Sequence, residues 1–194
     1  RLPEHINGIY SGEKLEHPAF ERLSEPSEQP ILKAPWKGTK KITQGNYGSY
    51  SHYDHETWDN TYAIDVALTC GSDVLAQADG KAIDLHRESK RCTSLSECKK
   101  EGIDPAGTWL AVNYTNPTTG EEFTVVYQHL SNIFVKKGEQ VKQGELLAKS
   151  GNTGFTLGKT GCHLHFHMWS GKGKKTSHTM PIERLVMKQV GVDS

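Results

Sequence analysis

The chain has 194 residues, 35% hydrophobic and 24% charged, and its 23 Lys and Arg balance 23 Asp and Glu to a formal net charge of zero. Those proportions suit a globular domain with a sizeable core, and the missing basic excess argues against a nucleic-acid binder. No apolar run reaches the length of a membrane span.

Residues 1–40 read as an arm. Pro3, Pro18, Pro26, Pro30 and Pro35 fall there, interspersed with Glu13, Glu16, Glu21, Glu25 and Glu28. Prolines at that density forbid long helices and central strands. The expectation is an extended segment with one helical turn near Pro18 to Leu23, wrapping the main domain or partly free of it. The chain begins at Arg1 rather than Met, from which a processed, mature chain is expected. A pro-segment lying over a cleft is the less favoured use of this arm.

Residues 41–194 form the expected main domain. Gly45 to Tyr53 is a Gly-, Ser- and Tyr-rich loop carrying His52, the kind of loop that bears function on a rigid scaffold. Asp54 to Asn60 reads as a polar insertion. Tyr62 to Leu68 reads as a buried strand with one carboxylate, Asp65, in it. A buried Asp is costly unless it is paired or holds a metal; an Asp held by backbone amides at a strand end is the plainer alternative. Val74 to Asp84 predicts a long strand with a turn near Asp79-Gly80. Arg87 to Gly107 predicts a polar, exposed excursion. An even count of four cysteines, with no C-x-x-C pair, points to disulfides and an oxidising compartment. The short Cys92–Cys98 loop is the preferred pair, which leaves Cys70 with Cys162.

Thr108 to Tyr114 and Glu122 to His129 alternate as strands, and Asn116-Pro117-Thr118-Thr119-Gly120 between them is a hairpin signal. His129 is expected at the end of its strand. Val135 to Gly151 places Gly138, Gly144 and Gly151 around short apolar pieces, as tight β-turns do. The loop from Gly151 to Gly161 leads into Cys162-His163-Leu164-His165-Phe166-His167-Met168. As a strand this last stretch puts three imidazoles on one face and Leu164, Phe166 and Met168 on the other. Imidazoles two residues apart converge on one ion or one substrate; a His-rich polar edge strand is the plainer alternative. Lys172, Lys174 and Lys175 read as a solvated turn, and Ile182 to Gln189 as a short helix. The class is mainly β, with an antiparallel, sandwich-like core and short peripheral helices.

Catalytic zinc sites take three ligands from His, Asp or Glu and keep a fourth position for water. His52, Asp65 and His165 supply such a set. His163, on the face of His165, and His129 suit general base or oxyanion roles beside the ion. A literal His-x-x-x-Asp also occurs at His55 and Asp59, but in a polar run with no strand to fix it. His52 is therefore preferred to His55 as the first ligand.

Taken in order, His52, Tyr62-Ala63-Ile64-Asp65, Tyr127-Gln128-His129-Leu130, Val135 through Gly154, and His163-Leu164-His165-Phe166 resemble the M23 family of zinc metallopeptidases, the lysostaphin- and LytM-like peptidoglycan endopeptidases. The resemblance spans about Thr43 to Trp169. It implies an antiparallel sheet crossed by a groove, one Zn2+ per chain on His52, Asp65 and His165, and a catalytic pair of His129 and His163. It also implies the peptide part of bacterial peptidoglycan as substrate. The expected protein is secreted or periplasmic, has no membrane span, and acts as a monomer. Three departures stand out. His52 and Asp65 lie farther apart than is usual, the often acidic position after H-x-H-Phe is His167, and residues 87–107 form an unusual cysteine-bearing insertion. A non-catalytic zinc-binding relative, acting as a cell-wall-binding, adhesion or signalling module, is the main alternative. A biotinyl or lipoyl carrier is disfavoured, because the Met187-Lys188 pair falls in the C-terminal helical stretch rather than at a hairpin tip.

Overall fold

The computed structural model describes residues 32–53, 59–117, 119–171 and 179–180. Most of the arm, His55, the Lys172–Lys175 turn and the expected C-terminal helix lie outside them. The strands, in chain order, are β1 Ile42–Gln44, β2 Ile64–Val66, β3 Asp73–Leu75, β4 Gly80–His86, β5 Arg91–Cys92, β6 Thr108–Thr115, β7 Glu122–Ile133, β8 Gln140–Val141, β9 Leu146–Ser150, β10 Gly154–Phe155 and β11 Leu164–Ser170. One helix, α1 Leu95–Glu101, follows β5. Nine strands form one sheet along the path β1-β2-β11-β7-β6-β4-β8, with β9 joining β7 to β3. Every pairing in it is antiparallel. The mainly β expectation is met.

The His-rich stretch explains the centre of this sheet. Leu164, Phe166 and Met168 on β11 are buried, and so are Phe123, Val125 and Tyr127 on β7 and Ile64 and Val66 on β2. Register places Phe166 opposite Tyr127 and Ile64, so one face of three adjacent strands is continuous apolar core. Burying a side chain of this size contributes roughly 1.5–3 kcal/mol. Because side chains alternate, the same burial turns His163, His165 and His167 to the opposite face.

Four expectations change in detail. The long strand over Val74 to Asp84 is two strands that go separate ways: β3 pairs with β9, and β4 with β6 and β8. Ala76 still bonds on the β9 side, its N–H to the Glu145 carbonyl and its carbonyl to Gly144 N–H, both at 2.8 Å, and new partners begin only at Gly80. Strand β7 does not end at His129 but runs on to Ile133, passing through a register irregularity at Leu130. The excursion over residues 87–107 contains a helix. Ser94 caps α1 by accepting from Glu97 N at 3.1 Å, Glu97 reaches back to Thr93 N at 2.7 Å, and Gly102 closes the end at φ 64°. Finally, Asp59 is buried rather than solvated. It accepts from Thr61 N at 2.8 Å and from Thr179 N at 2.6 Å. Both expected disulfides are present, Cys70–Cys162 and Cys92–Cys98.

Candidate active site

Three elements bring the predicted residues together. Asp65 on β2 lies directly opposite His165 on β11, and the loop after β1 lays His52 over the pair. Ligand atoms of His52, Asp65 and His165 all lie within 4.8 Å of one another. Asp65 Oδ1 is the common point: His165 Nδ1 is 2.9 Å from it, His52 Nε2 3.3 Å and His163 Nε2 3.8 Å. Gln44 Nε2 donates to the other carboxylate oxygen at 3.4 Å.

His129 completes the cluster from β7. Its ring centroid is 4.7 Å from that of His163 and 5.7 Å from that of His165. The backbone at His129 is left-handed, φ 58°, a conformation rare for a side chain with a Cβ and typical of residues aimed by their surroundings. Its N–H donates to the Ala106 carbonyl at 3.1 Å, so the excursion helps to hold it there.

Backbone carbonyls fix three of the imidazoles. A carbonyl can only accept, so a ring nitrogen bonded to one carries the proton. His52 Nδ1 donates to Gly45 O at 2.8 Å, His129 Nδ1 to Thr153 O at 2.9 Å and His163 Nδ1 to Gly161 O at 2.9 Å. Each therefore presents its Nε2 lone pair to the cluster. His52 Nε2 is buried without a hydrogen bond of standard geometry. A lone pair held dry and aimed at a carboxylate fits a cation between them, and the donor set of two imidazoles and one carboxylate is that of catalytic zinc sites.

Electrostatics follow from burial. Desolvation alone would raise the Asp65 carboxyl; the His165 and His52 imidazoles beside it outweigh this and hold it well below the usual carboxylate range. Burial pushes His129 well below the ordinary histidine value, and the neighbouring His163 and His165 push the same way. Burial also lowers His165, against the pull of Asp65. His129 is thus a neutral imidazole at physiological pH.

The cluster opens into a groove of about 920 Å³. His167, Trp169 and Trp109 line it from the sheet, Tyr50 from the first loop, and Phe155 and Leu157 from the loop before β11. That loop is backed by the excursion. Strands β5 and β10 pair in parallel, and Phe155 packs on Cys92, Cys98 and Ile103. The sequence reading named five candidate residues, and all five converge in one cluster among the described residues. It gave no role to Gly45, Thr153 or Gly161, whose backbone carbonyls orient three of them; a carbonyl contact leaves no residue-type signal. His167, noted only as a departure, lies with its Nδ1 3.4 Å from His165 Nε2.

Comparison with known proteins bears on the family and the fold. The model of peptidase family M23 matches residues 59–178. An uncharacterized metalloprotease of Haemophilus influenzae is 35% identical over 103 residues, 53% of this chain and 17% of its own length. The peptidoglycan DD-endopeptidase ShyA of Vibrio cholerae is 43% identical over 58 residues, 30% of this chain and 13% of its own length. The chain thus spans less than a fifth of either relative. Among solved structures, a zinc-containing peptidase from Vibrio cholerae superposes with a TM-score of 0.53 at 23% identity, covering 78% of this chain and 39% of that one, a likeness of fold.

Proposed function

Since the chain belongs to peptidase family M23, we propose that it is a zinc-dependent endopeptidase that hydrolyses peptide bonds in bacterial cell-wall peptidoglycan, outside the cytoplasm. The observation that carries this reading is the convergence of His52 Nε2, Asp65 Oδ1 and His165 Nδ1, with the Nε2 lone pairs of His129 and His163 beside them at the head of a groove. The endopeptidase ShyA supports the substrate class, and two disulfides suit an oxidising compartment.

His52, Asp65 and His165 would hold the ion. Bound there, zinc would supply Lewis acidity at the scissile carbonyl and bring the pKa of a water toward neutrality. The protein's own residues do the rest. The groove orients the peptide across the imidazole pair and limits water. His129, kept neutral by burial, accepts the proton of the attacking water at Nε2. His163, its Nδ1–H tied to Gly161 O, offers Nε2 toward the same point; the proton that His129 took from water passes through this Nε2, as an imidazolium beside the oxyanion, to the departing amine nitrogen as the C–N bond breaks.

The test is incubation of the zinc-loaded protein with purified cell walls, followed by mass spectrometry of released muropeptides. New amino termini are expected from wild type, with none from His165→Ala, which should also lose the metal. Zinc at one equivalent per chain without any cleavage of several wall types would refute the enzyme reading and favour a zinc-binding module.

A further inference from the structure

His165 differs from the other candidate ligand imidazole in what stands behind it. His52 turns its second nitrogen to the Gly45 carbonyl. His165 turns its Nδ1 to Asp65 Oδ1 at 2.9 Å and its Nε2 to another imidazole, His167 Nδ1, at 3.4 Å. Both residues are buried, each 3% exposed. Strand geometry forces the approach, since the two rings stand two residues apart on the same face of β11, with centroids 5.6 Å apart.

If Nδ1 of His165 is the metal-facing atom, that atom must give up its proton, and a neutral imidazole then carries its proton on Nε2. A buried N–H needs an acceptor. We infer that His167 is a positioning residue: its Nδ1 accepts the Nε2–H of His165, fixing the tautomer and plane in which His165 Nδ1 is a ligand. This rests on the zinc-site reading above. The acceptor is unusual, because ligand histidines are more often backed by a carboxylate, a carbonyl or a water. An imidazole is a weaker acceptor than a carboxylate and adds no charge, so a glutamate at this position should tighten the site. His167 also packs against Trp169, the rings tilted by 46° with centroids 5.1 Å apart, which gives its ring a packing role that must be told apart from the accepting one.

The experiment measures zinc affinity of the metal-free protein against a chelating dye, with no reference to peptidase activity. His167→Phe keeps a ring against Trp169 but cannot accept; it should lose about 10- to 100-fold in affinity, as removal of such partners does. His167→Gln accepts through its carbonyl and should stay within a few-fold of wild type, while His167→Glu should equal or exceed it. In ¹⁵N-histidine spectra of the zinc-loaded wild type, His165 should carry its proton on Nε2. Phenylalanine binding as tightly as wild type, glutamine as weak as phenylalanine, or a proton on His165 Nδ1 would each overturn the inference. If the phenylalanine variant does not fold, a loss of more than tenfold in both the glutamine and glutamate variants overturns it, and retained affinity in both supports it. Wild type that binds no zinc at all would sink the zinc-site reading itself, a distinct outcome from zinc binding indifferent to residue 167.

Discussion

At the scale of single residues, ligands and proton carriers should separate cleanly. His129→Ala and His163→Ala remove imidazoles that lie beside the candidate ligands but outside the group of His52, Asp65 and His165. Each variant should keep its zinc and lose about 10²- to 10⁴-fold in kcat, the usual worth of general acid–base help. Metal analysis beside single-turnover kinetics checks this, and full activity in either variant would remove that residue from the reaction. Asp59 makes a different prediction. Burial opposes its ionised form, but hydrogen bonds from Thr61 and Thr179 outweigh that and hold its carboxyl below the ordinary value. A depressed folded-state pKa contributes stability that is present above the unfolded value, near 3.8, and lost as pH falls through the folded one. Asp59→Asn replaces one acceptor oxygen by a donor among N–H groups and should cost about 1–3 kcal/mol at neutral pH. Chemical denaturation at pH 7 and below pH 4 should show that gap narrowing on acidification. The convergence of these five side chains was legible because Asp, His and period-two spacing are written in the sequence. The role of Asp59 was not, because its partner Thr179 is 120 positions away.

At the scale of elements, what could be read depended on whether local chemistry or distant pairing decided the structure. The Asn116–Gly120 turn forms as its residues dictate, with Gly120 N–H bonded to Asn116 O at 2.8 Å. Helix α1 could have been found too, since Ser94 and Glu97 stand at capping spacing, but seven residues inside a polar run give little periodicity. The break between β3 and β4 was out of reach: one apolar run serves two different neighbours, and only the sheet as a whole decides which. The excursion has a consequence for the site. Arg91 on β5 donates from Nε to Thr156 Oγ1 at 2.9 Å and from Nη2 to the Thr156 and Gly158 carbonyls at 3.1 and 2.8 Å. Its guanidinium lies under Gly161, where a Cβ would meet Nε at 2.8 Å, and the Gly161 carbonyl is what holds His163. Arg91→Ala should therefore free the loop and lower kcat by up to about 10²-fold, the cost of a small misplacement, without loss of zinc. Lysine should rescue poorly, because a point charge cannot reproduce the fork. Steady-state kinetics with metal analysis would show this; equal activity in wild type and alanine would break the link from excursion to His163.

At the scale of the whole molecule, the two disulfides should contribute unequally to stability and differently to function. Cys70 and Cys162 are 92 positions apart, and the bridge ties the turn after β2 to the residue before His163, so it clamps together the two chain segments that flank Asp65 and the His163–His165 stretch. Cys92 and Cys98 are 6 apart and close only α1 on β5. In the chain-entropy model, loops of these lengths restrain the unfolded state by about 4.6 and about 2 kcal/mol respectively. For a chain of this size 1 kcal/mol moves the melting temperature by roughly 2–4 °C. Serine at both Cys70 and Cys162 should thus lower Tm by roughly 9–18 °C, and serine at Cys92 and Cys98 by about half as much or less. The functional order need not follow. The short bridge sits in the small cluster with Ile103 and Phe155 that backs the groove wall, so its loss should act on substrate binding, raising KM. Loss of the long bridge loosens the start of β11 and should act on kcat through His163 and on zinc affinity through His165. Zinc held at the proposed site would bind only the folded state and so restore stability in proportion to the logarithm of its concentration. Saturating zinc should then recover part of the Tm lost in the Cys70/Cys162 variant, since its ligands span the same two strands. Calorimetry of both double variants with and without zinc decides it. Equal Tm losses, or zinc that fails to raise Tm in the long-bridge variant, would mean that the strands bearing Asp65 and His165 are held together by the sheet alone.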